Sequence, residues 1–256
     1  MGLHFQEAGS GPPLLLLHPV GLDNSFWDGV AGPLATRRRV IAVDTAGHGA
    51  SADADRPGRM ADRARDLIQL INEQNLGPAT LLGVSFGGMI AQNVALARPD
   101  LVSGLVLAGC PGRMPAEARP VILKRGADAE TGGMEAVVAT TLERWFTQPF
   151  MSTEAVANVR QRLLANKPSN WAAAWEAAAE HDALPRLGAL DMPALVIAGQ
   201  NDLATPLDAK RALAAALRHS RLVVLEGAPH MMQIEQPGPF LAAVEDFLSE
   251  SEAGRK

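Results

Sequence analysis

Runs of consecutive apolar residues, each five or six long, recur along the chain and alternate with longer stretches whose apolar positions repeat every three to four residues. The short runs at 14–18, 40–44, 79–84, 104–108, 194–199 and 221–225 predict strands. Nearly all are apolar at every position, as expected of parallel strands covered on both faces. A weaker strand at 3–7 is expected at a sheet edge. The longer stretches at 61–75, 86–98, 207–217 and 239–249 predict helices, with Pro99, Pro206 and Pro237 marking stops and starts. This alternation is the signature of an α/β fold, a mostly parallel central sheet flanked by crossover helices.

The middle of the chain breaks the pattern. Between 112 and 185 no strand is predicted, and helical patterns at 116–125, 133–146, 153–166 and 170–180 follow one another. A helical block inserted between strands of one sheet predicts a cap over the sheet's C-terminal edge, where open α/β sheets bind ligands. The expected division is a core of 1–111 and 186–256 with an inserted helical cap of 112–185. The charged stretch 249–256 is expected to fray.

Composition narrows the partners more than the fold. A length of 256 residues suffices for one large α/β domain, and 47% hydrophobic with 20% charged residues is ordinary for a globular chain. The net charge of −5 opposes attraction to nucleic acid or to an anionic membrane surface. With Cys110 as the single cysteine, no intrachain disulfide is available, which fits a reducing compartment. No signal-peptide pattern or membrane-length apolar run occurs, so a cytoplasmic location is expected. A homo-oligomer is compatible with these features, which neither require nor exclude one.

Candidate chemistry centres on Gly83-Val84-Ser85-Phe86-Gly87-Gly88, which follows a predicted strand and opens a predicted helix. That strand–turn–helix setting is what a strained nucleophile turn requires, with glycines where side chains would collide. A serine needs a base. Of the six histidines, His230 lies just beyond the last predicted strand and is expected beside Ser85. His4 and His219 read as solvated surface, His18 as a brace for the loop after the first core strand, and His181 as the end of a cap helix. The base needs an acidic partner, and Asp202, just beyond strand 194–199, is preferred over Asp208 in the next helix. The order Ser85, Asp202, His230 is that of an α/β-hydrolase triad rather than of the other serine-protease types. The oxyanion donors are expected to be the backbone N–H groups of Phe86 and Val20, since Pro19 has none. The turn Asp44-Thr45-Ala46-Gly47-His48-Gly49 reads as architecture. Neither metal-ligand spacing nor a phosphate-binding glycine loop occurs, so no metal or cofactor is expected.

Taken together, His18-Pro19-Val20-Gly21, Asp44 to Gly49, Gly83 to Gly88, Asp202 and His230 resemble the α/β-hydrolase superfamily over essentially the whole chain. Within it, Gly132-Gly133-Met134, Leu142-Glu143-Arg144-Trp145-Phe146, the strand at 195–199 with Asp202 and Ala204-Thr205-Pro206, and Ile234-Glu235-Gln236-Pro237 make the chain similar to the 3-oxoadipate enol-lactonase group. Pro19 and Ala46 depart from that pattern, where many relatives carry Gly or Ser and Arg. The resemblance implies hydrolysis of an enol-lactone through an acyl-enzyme. Such a substrate carries a free carboxylate, so a cationic clamp in the cap is expected: Arg144 beside Trp145, with Arg113, Lys124 and Arg125 as further cations. A carboxylesterase, another lactonase or a C–C hydrolase of ring-cleavage products would use the same triad. Dehalogenases and epoxide hydrolases of this fold carry Asp at the nucleophile position, which is Ser85 here. A non-catalytic ligand receptor is the reading from another class, and a complete triad speaks against it.

Overall fold

The computed structural model describes residues 2–253. Seven strands form one sheet: β1 (Phe5–Ala8), β2 (Pro13–Leu17), β3 (Arg39–Val43), β4 (Ala79–Val84), β5 (Val102–Ala108), β6 (Ala194–Gly199) and β7 (Ser220–Leu225). Their spatial order is β1-β3-β2-β4-β5-β6-β7, with β1 antiparallel to β3 and every other pair parallel. The leucines of β2 and the whole of β4 and β6 are buried, which is why their sequences show no polar alternation. β7 closes the sheet as a half-exposed edge, so its apolar run does not mean cover on both faces.

Helices α1 (Asp28–Ala35), α2 (Met60–Glu73), α3 (Phe86–Ala97), α8 (Leu207–Ala216) and α10 (Pro237–Ala253) flank this sheet. α1 packs on α10, and α2 on α3. α1 escaped the periodicity reading because Gly29, Gly32 and Pro33 all stand within it. α10 continues through 249–253, correcting the expected fraying there; residues 254–256 lie outside the described ones.

Between β5 and β6 come α4 (Arg119–Gly132), α5 (Glu135–Trp145), α6 (Glu154–Leu164) and α7 (Pro168–Ala179), with no strand among them. α4 and α7 make the most extensive contact of any helix pair in the chain. The insert leaves and rejoins the core at one seam, where Arg113 and Asp182 form an isolated bridge and an ion pair.

The connectivity decides where a ligand can sit. From β2 the chain moves one way to β3, then crosses back over β2 to β4. The strand order therefore reverses between β2 and β4, and open α/β sheets bind ligands beyond the C-terminal ends of strands at such a point. Val20 follows β2 there, and Ser85 follows β4.

Candidate active site

Ser85 sits between β4 and α3 with φ 53° and ψ −114°, in the left-handed region that L-residues avoid. The turn is held by Ser85 N–H donating to Ala108 O at 2.8 Å and Met89 N–H donating to Ser85 O at 3.1 Å. Two glycines permit it. A Cβ on Gly83 would lie 2.4 Å from Gly87 backbone, and one on Gly87 would lie 2.1 Å from Leu17 O. Helix α3 thus comes close enough to the sheet to lift Ser85 above its C-terminal edge.

Asp202 and His230 reach the same edge because β6 and β7 end in register with β4 and β5. Gly199 pairs with Leu225, and Ala108 pairs with both Val84 and Ile197. His230 Nδ1 lies 3.0 Å from both carboxylate oxygens of Asp202. A carboxylate only accepts, so Nδ1 carries a proton and donates to Asp202, and Nε2 is the ring nitrogen left free of that contact. Asp202 Oδ1 also accepts from Ala204 N–H at 2.8 Å and Thr205 N–H at 2.9 Å, and Lys210 Nζ donates to Oδ2 at 2.6 Å. Burial pushes the Asp202 carboxyl up, but the His230 and Lys210 charges and hydrogen bonds outweigh it and bring it down to about 2. Asp202 is therefore both the turn aspartate and the partner of His230.

Ser85 and His230 line one small internal chamber together with Val20, Phe86, Trp145, Arg125 and Arg144. The amide N–H groups of Val20 and Phe86 donate to no protein acceptor among the described residues. Phe86 is the first residue of α3, so its N–H has no partner within the helix. The Val20 loop is braced. Thr45 N–H donates to His18 Nε2 at 3.0 Å, so His18 is protonated at Nδ1, which donates to Pro19 O at 2.8 Å. From the insert, Asn166 Nδ2 donates to Gly21 O at 2.7 Å.

The insert supplies the opposite wall. The Trp145 ring centroid lies 6.3 Å from that of His230, and Met231 N–H donates to Trp145 O at 3.1 Å, tying the end of α5 to the His230 loop. Glu235, in the short helix α9 (Met232–Glu235), accepts from Thr147 N–H and Oγ1 and strengthens that tie. Arg125 lies 4.5 Å over the Trp175 ring. Burial, together with the Arg144 charge, lowers the Arg125 guanidinium to about 10, and burial likewise lowers Arg144. Neither arginine forms an ion pair among the described residues, and the buried Trp175 Nε1 is also without a partner.

Other expectations resolve by contact. Arg113 is taken by Asp182 and Lys124 by Asp128, both away from the chamber. Asp208 pairs with Arg211 on the surface, and His219 is exposed beside Asp191. His4 is not merely solvated: its Nδ1 bonds Asp44 Oδ2 at 2.8 Å. Asp44 also accepts from Asn24 and Ala50, as the hub of its turn. His181 is buried between Asn93 and Gln92 rather than at the chamber. Cys110 is no rival nucleophile, because burial pushes its thiol up to about 12. A groove of about 500 Å³ runs between α1, α6 and α9, and neither Ser85 nor His230 lines it. Among the described residues no cluster of three or more His, Cys, Asp or Glu is placed to hold a metal ion, and no helix is long and apolar enough to cross a membrane.

A strained serine at a strand–helix turn, lining one chamber with a carboxylate-bound histidine on a sheet of this order, is the arrangement of an α/β hydrolase. Residues 12–237 match the alpha/beta hydrolase fold family, and the chain belongs to that family as a hydrolase. It is similar to 3-oxoadipate enol-lactonase 2 of Acinetobacter baylyi, with 32% identity over 93% of this chain and 88% of that protein. It is similar also to (E)-2-((N-methylformamido)methylene)succinate hydrolase of the same organism, with 29% identity over 96% of this chain and 93% of that one. A malate-bound thermophilic esterase from Thermogutta terrifontis shares the fold with a TM-score of 0.91 at 29% identity, covering 97% of this chain and 93% of that one.

Proposed function

We propose that the protein hydrolyses a small ester or lactone bearing a free carboxylate, with an enol-lactone such as 3-oxoadipate enol-lactone as the leading substrate. One observation carries this reading: a single chamber has Ser85 and His230 on one wall and, on the other, two arginines without carboxylate partners among the described residues. A half-buried cation without a counter-ion is poorly compensated, and a substrate carboxylate would pair with it while fixing the carbonyl over Ser85. The similarity to an enol-lactonase and to a hydrolase of a substituted succinate supports it.

In this reading Ser85 Oγ attacks the lactone carbonyl as His230 Nε2 takes its proton. The resulting oxyanion accepts from Val20 N–H and Phe86 N–H. Collapse expels the enolate oxygen, which His230 protonates, leaving an acyl-enzyme on Ser85. His230 then draws a proton from water as it attacks the acyl carbonyl, and returns it to Ser85 Oγ. The product enol converts to the ketone, which draws the overall reaction forward. Asp202 keeps His230 in the required tautomer throughout.

The test compares kcat/KM for enol-lactones, simple lactones and neutral esters, with Ser85→Ala alongside. We expect the carboxylated enol-lactone to be preferred and Ser85→Ala to lose at least ~10³-fold in kcat while remaining folded. A neutral ester turned over as well as the enol-lactone would displace the substrate assignment in favour of a carboxylesterase, the reading that the similarity to the thermophilic esterase supports.

A further inference from the structure

Lys210 stands on α8 at a spacing that aligns it with Leu213 and Ala214, both buried. The helix therefore carries a cation on its inward face, and that side chain has no exposed surface. A methionine would occupy similar volume without the cost of burying an ammonium group. What the charge does instead is pair. Nζ donates to Asp202 Oδ2 at 2.6 Å and to the carbonyl of Thr205.

The electrostatic consequence falls on His230. Asp202 and a neutral imidazole form a buried pair of net charge −1, and Lys210 makes the trio neutral. Protonating His230 then creates net positive charge at a buried site. Without Lys210 the same proton would cancel a negative charge and be held more tightly. The other titratable groups facing this pair are Arg144 from α5, which acts in the same sense from the half-buried chamber wall, and the neutral thiol of Cys110 after β5.

We infer that Lys210 is a positioning residue for the hydrolytic site: it clamps Asp202 Oδ2 while the Ala204 and Thr205 amides hold Oδ1, and its charge offsets that of the carboxylate that holds His230. This inference rests on the Ser85–His230–Asp202 reading above. It assigns to α8 a role that the triad alone does not require.

The experiment is the pH profile of kcat/KM on an activated ester for the parent, Lys210→Met, Lys210→Gln and Ser85→Ala. Loss of the charge is expected to move the acid limb to higher pH by about one unit in both Lys210 variants. Lys210→Gln keeps a hydrogen-bond donor, so it should shift the limb as Met does while losing less in kcat. That split separates charge from clamping, and a merely structural role would lower stability or kcat without moving the limb. An unmoved limb in folded Lys210 variants overturns the inference. Failure of both variants to fold overturns it too, because Lys210 would then be a folding determinant. Full activity in Ser85→Ala would instead overturn the serine reading itself.

Discussion

Arg125 and Arg144 are ordinary helix residues until the fold turns them inward. Both guanidiniums line the Ser85 chamber without a carboxylate partner among the described residues, and Arg125 stays charged at any pH near neutrality because its value is still about 10. If they hold a substrate carboxylate, Arg125→Gln and Arg144→Gln should each raise KM for a carboxylated ester by about 10- to 100-fold, the value of one charged hydrogen bond. kcat should change little, and a neutral ester should be almost unaffected. Equal losses on both substrates would show that the arginines shape the chamber rather than read charge. Arg144 stood out in the sequence through its place in a family-like segment. Arg125 was indistinguishable from Lys124 and Arg113 there, because the difference is one of direction: those two find acidic partners outside the chamber.

At the scale of elements, the turn carrying Ser85 depends on the approach of α3 to β2 and β4. Gly87→Ala would place a methyl 2.1 Å from Leu17 O, inside any tolerable contact. It should cost about 3 kcal/mol or more, read as a lowered Tm and urea midpoint, and activity should be lost with it. A fully stable, active Gly87→Ala would refute the close approach. The insert is tied to this turn's surroundings by three contacts: Asn166 to Gly21, Trp145 to Met231, and Thr147 to Glu235. Strands and long helices were legible in the sequence because their periodicity is strong. α1 and α9 were not, one interrupted by Gly and Pro and the other only four residues long.

For the whole molecule, burial of uncharged imidazoles links stability to pH. Burial pushes His181 down to about 4, against the opposing pull of Pro111 O and Asp182, and it lowers His18 and His48 as well. In the unfolded chain each would bind a proton near 6.5. Between those values the unfolded state binds more protons, so stability is full above about 6.5 and is lost as pH falls toward 4. His181 alone accounts for about 3 kcal/mol of that loss. Denaturant titrations at pH 7, 5.5 and 4 should show the decline, with a shallower slope in His181→Gln. Flat stability across this window would mean that these histidines can charge without unfolding the core.

The sequence by itself determined the layered α/β architecture and the catalytic candidates, since strand runs, an elbow with its glycines and the order Ser85, Asp202, His230 are local or sequential signals. It also marked the insert as helical. Only the tertiary structure decided which charges meet. Lys210 reads as one more helix lysine until α8 presses it against Asp202, and Arg125 and Arg144 become neighbours only when α4 and α5 pack. The physical reason is that periodicity reports which face of an element is buried, whereas pairing between elements depends on distances that no local pattern contains.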